Sequence, residues 1–288
     1  MSVLKYASIL ARTKFRQLIA VNKAIIKREI SYYPKYLIDF EKRCANYFGV
    51  KQALTFCNGT SAIEAAMFAL GVGPGDEVIV PSCTFHASID PIINAGAKPV
   101  FVDVDEKSFT LCPSDLVKKI TSRTKAIVVV HIFGIPADIE SIKKVIDGKN
   151  IRLIEDASHA HGGEFGNKKL GNLSDIGIFS FQGNKAVAAG EGGVALTNSE
   201  ELFLKMSLYG HFDRHSDQFH KINAEKFKFI GFGHKYRMAP VSALIAEGDL
   251  HYLDRVNALM QEKAALFDQA FSDIDGVEFA LHSFKYRE

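Results

Sequence analysis

The chain has 288 residues, 47% of them hydrophobic, which is enough to bury a large core and excludes a disordered or collagen-like protein. Thirty-five basic against thirty-three acidic side chains leave a formal charge of +2, with only short clusters such as "KFKF". That balance gives no nucleic-acid or membrane surface to look for. The first 30 residues alternate apolar and basic side chains in a helical manner, as in a basic amphipathic surface helix, without the continuous apolar run of a signal peptide or membrane span. The four cysteines, Cys44, Cys57, Cys83 and Cys112, are widely spaced with no CxxC pair, as expected of reduced, mostly buried thiols in a cytoplasmic protein.

Along the chain, a helix over 35–48 places Leu37, Phe40, Cys44 and Phe48 on one face. Seven short apolar runs then read as strands: 53–57, 77–81, 99–104, 126–133, 151–156, 176–181 and 193–198, the last as an edge strand. Helix-period segments lie between many of them, at 61–70, 86–95, 113–121 and 137–147. Strands that are apolar throughout and alternate with helices predict a mostly parallel sheet covered on both faces, a three-layer α/β/α sandwich. From 241 the pattern becomes one long helix to 272, followed by a strand over 276–281. The division expected is an N-terminal helical segment (1–34), a large domain (35–240) and a connecting helix with the start of a second unit (241–288).

In such a sheet ligands gather at the carboxyl ends of the strands, so the residues just after each run are the candidates. After the first run, "CNGTSAIEAA" turns at Asn58 and Gly59 and begins a helix at Thr60 and Ser61, whose hydroxyls either cap that helix or receive a phosphate. After the second, Phe85 is either core or a platform for a planar ring. Asp156, which ends "IRLIED", is either an N-cap or a carboxylate facing a proton-bearing partner, with His159 three residues on. After "IGIFSF", Ser180 precedes Lys185, set among small residues. Desolvation there pulls an amine's pKa down and makes it a nucleophile toward carbonyl carbon, although a lysine reaching to solvent satisfies the same composition. Phosphate-binding hydroxyls, a ring stacker, an aspartate for a ring nitrogen and a lysine for an aldehyde together match the needs of pyridoxal 5′-phosphate (PLP).

His131 and Phe133 either line the cleft or belong to the core, Glu191 is read as a tight-turn residue, and 213–230 as a mobile loop near the cleft mouth. No histidine spacing suggests a metal site.

The segments "NGTSAIEAA", "GPGDEVIVPSCTF", "GAKPVFVDVD", "TSRTKAIVVVHIFG", "EDASHAHGG", "FSFQGNK", "GEGGVALTN" and "KYRM" resemble, in order, the motif series of the DegT/DnrJ/EryC1/StrS sugar and aminocyclitol aminotransferases, over roughly residues 35 to 250. The resemblance implies PLP-dependent transferase fold type I. It also implies that Lys185 forms the imine with the cofactor, Asp156 pairs with the pyridine nitrogen, and Phe85 stacks on the ring. Gly59, Thr60, Ser61 and Ser180 hold the phosphate, and His159 stands near the ring's 3′-oxygen, where the family has Gln or His. The reaction implied moves an amino group from L-glutamate or L-glutamine to a keto-sugar nucleotide or keto-cyclitol.

Two features depart from the family. "HKYRM" places Lys235 where an Asn often crosses a homodimer interface to the partner's phosphate, so a homodimer with Lys235 in that role is expected. Family members also carry a full small domain, whereas this sequence stops within its expected opening strand, so a truncated, non-catalytic relative is the alternative. A sugar dehydratase is a second alternative, against which Lys185 stands, because the deoxygenating members have His there.

Overall fold

The computed structural model describes residues 2–31, 34–211 and 213–279. Helices α1 (Ser2–Ile26) and α2 (Pro34–Phe48) precede an alternating core: β1 (Gln52–Phe56), α3 (Gly59–Ala69), β2 (Glu77–Pro81), α4 (Asp90–Asn94), β3 (Lys98–Val102), α5 (Pro113–Lys119), β4 (Thr124–Val130), α6 (Ile139–Ile146) and β5 (Arg152–Asp156). A two-stranded hairpin, β6 (Glu164–Phe165) and β7 (Lys168–Lys169), leads to β8 (Ile176–Ser180) and β9 (Gly193–Thr197), and α7 (Glu200–Gly210) and α8 (Pro240–Phe271) complete the chain. No described helix is long and apolar enough to cross a membrane.

Seven strands form one sheet in the order β1-β9-β8-β5-β4-β2-β3. Pairing is parallel from β8 through β5, β4 and β2 to β3. Strand β9 is antiparallel to both β8 and β1, so β1 runs in the same direction as the other five. The 193–198 run is therefore not an edge strand: the edge is taken by β1, and β9 lies inside it. All six co-directional strands end on one rim, and β9 begins there.

Alternation along each strand sends side chains to the two faces of the sheet, as the pleat requires. Val78, Val80, Ala126, Val128, Ile154, Ile176, Ile178 and Ala195 pack with α3, α4 and α7 on one face. On the other, Phe179, Val194 and Leu196 meet α2 and α8, while Ile79, Ile127, Val129 and Leu153 meet α5 and α6. The result is the three-layer α/β/α fold expected.

Several elements differ from expectation. Proline cannot donate a helical N–H, and at Pro91 the 86–95 segment divides into a 3-10 turn (His86–Ser88) and α4. Strand β4 stops at Val130, short of 133, because the chain leaves the sheet in a turn where Phe133 takes a left-handed conformation, φ +55°. Residues 276–279 form a turn and irregular chain rather than a strand, and 280–281 lie outside the described residues. The 213–230 segment folds into two 3-10 turns around buried Phe219. It is anchored by buried Arg214, which donates to both Glu41 oxygens (2.8 and 2.5 Å) while Glu41 also accepts from Thr55. Among the cysteines only Cys44 is fully buried; Cys57, Cys83 and Cys112 are half-buried, and all four are free.

Helix α1 lies on α8 through a polar face. Gln17 donates from Nε2 to Ile245 O and to Asp249 Oδ1, both at 2.8 Å, in a notch left by Gly248, where a Cβ would come within 2.6 Å of the Gln17 side chain. Asp249 Oδ2 in turn accepts from Ala188 N at 3.1 Å, so the helix pair grips the loop that carries Lys185.

Under the rim, Glu155 is completely buried and surrounded by donors: His131 Nε2 at 3.1 Å, Gly171 N at 2.8 Å and Leu173 N at 2.8 Å. His131 Nδ1 accepts from Ala137 N, which leaves the ring proton on Nε2 for Glu155. Burial pushes the Glu155 carboxyl up, but His131 and the Gly171 N–H outweigh it and hold it below the usual carboxylate range. A lowered acid stabilises the fold above its unfolded value of about 4.3 and loses that contribution as pH falls through the folded value. Glu155→Gln, whose amide would face donors, is expected to lower stability by about 3 kcal/mol at pH 7 and to flatten the acid loss seen in the wild type. Urea unfolding midpoints at pH 7 and pH 4 measure both.

Candidate active site

The carboxyl rim of the sheet surrounds a cavity of about 890 Å³, within the size range of small-molecule sites. Five strands contribute their last residues or the segments that follow them: Asn58, Gly59 and Thr60 after β1, Thr84 and Phe85 after β2, Ile132 and Phe133 after β4, Asp156 at the end of β5 with Ser158, His159 and His161 after it, and Ser180 at the end of β8 with Gln182 and Lys185 after it. Register explains the convergence, since Val130, Asp156 and Ile178 stand side by side across β4, β5 and β8.

At one end is the first turn of α3. Its cap is Asn58, whose Oδ1 accepts from Ser61 N at 2.8 Å and Ser61 Oγ at 2.9 Å, so neither Thr60 nor Ser61 is the cap. Ser61 is 7% exposed, also contacts Cys57 Sγ at 3.2 Å, and is not on the cavity wall; Thr60 is. Glycines let the strands come this close. A Cβ on Gly59 would stand 2.9 Å from Ser180 Cβ, and one on Gly193 would stand 2.6 Å from the Asn58 carbonyl. Ser180 and the opening N–H groups of α3 thus share one small space, with the positive end of the helix dipole behind them. An anion fits that donor set.

The same cavity wall carries Asp156, His159 and Lys185. Asp156 is 8% exposed and accepts from Ser88 Oγ at 2.7 Å and from Ser158 N at 3.2 Å. The segment after it turns without forming a helix, so Asp156 ends a strand rather than capping "ASHA". Lys185 is half-buried, and desolvation, only partly opposed by Asp156, lowers its amine below the usual lysine value. Desolvation and the nearby Lys185 charge likewise lower His159, against the opposing pull of Asp156. His159 Nδ1 accepts from Phe133 N at 3.4 Å, and the two rings stack at 6.3 Å with an 18° tilt.

Phe85 and Phe133, 61% and 70% exposed, form the aromatic walls of the cavity. Phe133 is therefore on the wall, while its neighbour His131 is core. Glu191, read as a turn residue, also lines the cavity.

Sequence reading did not single out Ser88, Ser158, Gln182 or His161. His161 lies against Phe179 and Phe181, burial first and Lys185 second lower its imidazole to about 3, and its Nε2 has no partner among the described residues. The "AHGG" spacing placed it two residues beyond His159, but nothing local distinguished the two. Lys235 is not in this cavity. It is exposed, bridges to His211, and lines a separate space of about 230 Å³ with Arg214 and Arg237.

A mostly parallel α/β sheet with an anion cradle, a desolvated lysine and a buried aspartate on one rim has the donor set for a phosphate and an amine suited to a carbonyl carbon. The chain belongs to the DegT/DnrJ/EryC1/StrS aminotransferase family, whose pattern matches residues 14–285. It is 39% identical over 240 residues to GDP-perosamine synthase of Caulobacter vibrioides, covering 83% of this chain and 63% of that protein. It is 36% identical over 238 residues to L-glutamine:2-deoxy-scyllo-inosose aminotransferase of Streptomyces kanamyceticus, covering 82% of this chain and 56% of the other. The solved structure of an E. coli GDP-4-keto-6-deoxy-D-mannose-3-dehydratase with bound hydrated PLP superposes with a TM-score of 0.82 at 27% identity, over 90% of this chain and 70% of that one. The chain thus spans somewhat under two thirds of the length of these two sequence relatives.

Proposed function

We propose that this chain is the cofactor-binding part of a PLP-dependent aminotransferase that moves an amino group from L-glutamate or L-glutamine to a keto-sugar nucleotide or keto-cyclitol. The observation that carries the reading is the pairing, on one rim, of the desolvated Lys185 with the buried Asp156, in the cavity that the α3 anion cradle also lines. When bound, PLP supplies an aldehyde that condenses with amines and a ring that accepts electrons.

The residues divide the work. Thr60, Ser180 and the N–H groups at the start of α3, beginning at Gly59, hold the phosphate, while Ser61 supports them through Asn58. Asp156 receives the proton-bearing ring nitrogen and keeps that proton in place. Phe85 would pack against the ring, and His159, lowered and with Nδ1 already accepting, would have its Nε2 proton to offer to the cofactor's oxygen. Lys185 would be the residue that holds the cofactor's aldehyde, and its amine, when free, would take up the proton from the donor's α-carbon. The same amine would be the proton carrier when the keto acceptor occupies the cavity. A homodimer in which Lys235 reaches the partner's phosphate site belongs to the proposal, in keeping with its exposure outside this chain's own cavity.

The likeness to a sugar dehydratase gives a second reading, removal of a hydroxyl from the sugar. Lys185 supports amino transfer instead. The test is incubation of the PLP-loaded protein with ¹⁵N-L-glutamate or amide-and-amine-labelled L-glutamine and a GDP-4-keto-6-deoxy-sugar or a keto-cyclitol. Label in an amino sugar or aminocyclitol is expected. A 3-deoxy sugar without label would favour the dehydratase, and no turnover of either acceptor by loaded protein would contradict the proposal.

A further inference from the structure

Ser88 stands outside the cavity wall, in a segment whose pattern suggested only a helix. It ends the 3-10 turn after β2 and is completely buried. Its Oγ lies 2.7 Å from Asp156 Oδ2 and 3.0 Å from Thr84 Oγ1. A hydroxyl has one proton and a carboxylate oxygen only accepts, so Ser88 donates to Asp156 and Thr84 donates to Ser88. The other carboxylate oxygen accepts from Ser158 N at 3.2 Å. Both oxygens of Asp156 are therefore held from the protein side by two different loops. The terminal torsion of an aspartate is broad and sets no orientation by itself. The orientation here comes from its two donors.

We infer that Ser88 is a positioning residue for Asp156: it fixes the carboxylate in the rotation, and with the hydrogen-bond acceptance already used on its far side, in which it meets a protonated ring nitrogen. The inference rests on the reading that the cavity takes PLP. Thr84, on the cavity wall beside Phe85, stands behind Ser88 as the second member of the relay. Without the Ser88 hydroxyl, Oδ2 keeps no donor among the described residues. The carboxylate then turns toward whatever proton is nearest, and a proton shared with the ring nitrogen shifts toward Asp156.

The experiment loads the wild type, Ser88→Ala and Ser88→Cys with PLP labelled with ¹⁵N in the ring, and measures the nitrogen chemical shift and the PLP dissociation constant. The wild type is expected at the pyridinium position. Ser88→Ala should move toward the neutral pyridine position and bind PLP about tenfold more weakly, the usual effect of losing a hydrogen bond to a charged group. Ser88→Cys, nearly the same shape with a weaker S–H donor, should fall between, and its displacement gives the answer if the Ala variant fails to fold. A purely structural role would lower stability without moving the nitrogen signal. Variants that bind PLP with the wild-type shift and affinity would overturn this inference alone. A wild type that takes up no PLP would overturn the functional reading and this inference with it.

Discussion

Lys185→Ala is expected to lower amino transfer by about 10⁴-fold or more, because it removes the amine proposed both to carry the cofactor and to act as general base. The fold should survive the change. The loop is shaped by its backbone, through Lys185 N to Gln182 O at 2.9 Å, Ala189 N to Phe181 O at 2.7 Å and the Asp249–Ala188 contact. Stability should therefore stay within about 0.5 kcal/mol, as for substitutions that touch no core or network. Lys185→Arg should be as inactive, since a guanidinium does not give up its proton. The pH dependence follows from the same side chain. The amine acts as a base only when unprotonated, and desolvation brings its pKa below the ordinary 10.5. Activity should fall as pH drops and the amine is protonated, with a midpoint lower than that of an exposed lysine. Stopped-flow rates of the first half-reaction against pH, in the wild type and Lys185→Ala, measure both effects.

Asp156→Asn should lower the rate on the order of 10³-fold, the scale set by removing one preorganised electrostatic partner. The substituted amide keeps the shape and can still accept from Ser88 or Ser158, so little stability is lost. Asp156→Ala is different, because the buried Ser88 hydroxyl and the Ser158 N–H lose their acceptor, at a cost of about 1 to 3 kcal/mol. The two residues should not act independently. In an Asp156→Asn background, Ser88→Ala should add little to the rate loss, since the interaction it supports has already gone. Steady-state kinetics and urea unfolding of the four proteins in that cycle give the comparison.

Much of the fold was legible because its signals are local. Apolar runs bounded by turn residues gave the strands to within a few residues, and their alternation with helical segments gave the layers. What pairs with what is not local. "GVALTN" reads the same on an edge or inside one, and only the antiparallel partners Phe56 and Ser180 on either side of Gly193 place β9 within the sheet. The face of α1 misleads for a related reason. Phe15, Leu18 and Ile19 are exposed while Thr13 and Gln17 are buried, since Gln17 is satisfied by α8 rather than by water.

The candidate site divides in the same way. Gly59, Thr60, Phe85, Asp156, His159, Ser180 and Lys185 could be named because each follows an apolar strand, and all of them lie on one cavity wall. Ser61 belonged to the same motif, yet its hydroxyl turns back to Asn58, a choice set by cap geometry that the residue type does not reveal. Ser88 and His161 were invisible for the opposite reason. Their importance comes from what stands 68 residues away in the first case, and in the second from a buried nitrogen with no partner among the described residues.

The central claim is that this rim binds PLP through Lys185. The most direct measurement is reduction of the PLP-treated wild-type protein with borohydride, followed by proteolysis and mass spectrometry, beside Lys185→Ala treated in the same way. The account predicts a visible absorbance band lost on reduction and a stable phosphopyridoxyl mass on the peptide containing Lys185, with neither in the variant. A folded wild-type protein that gains no label, or gains it on lysines other than Lys185, would contradict it.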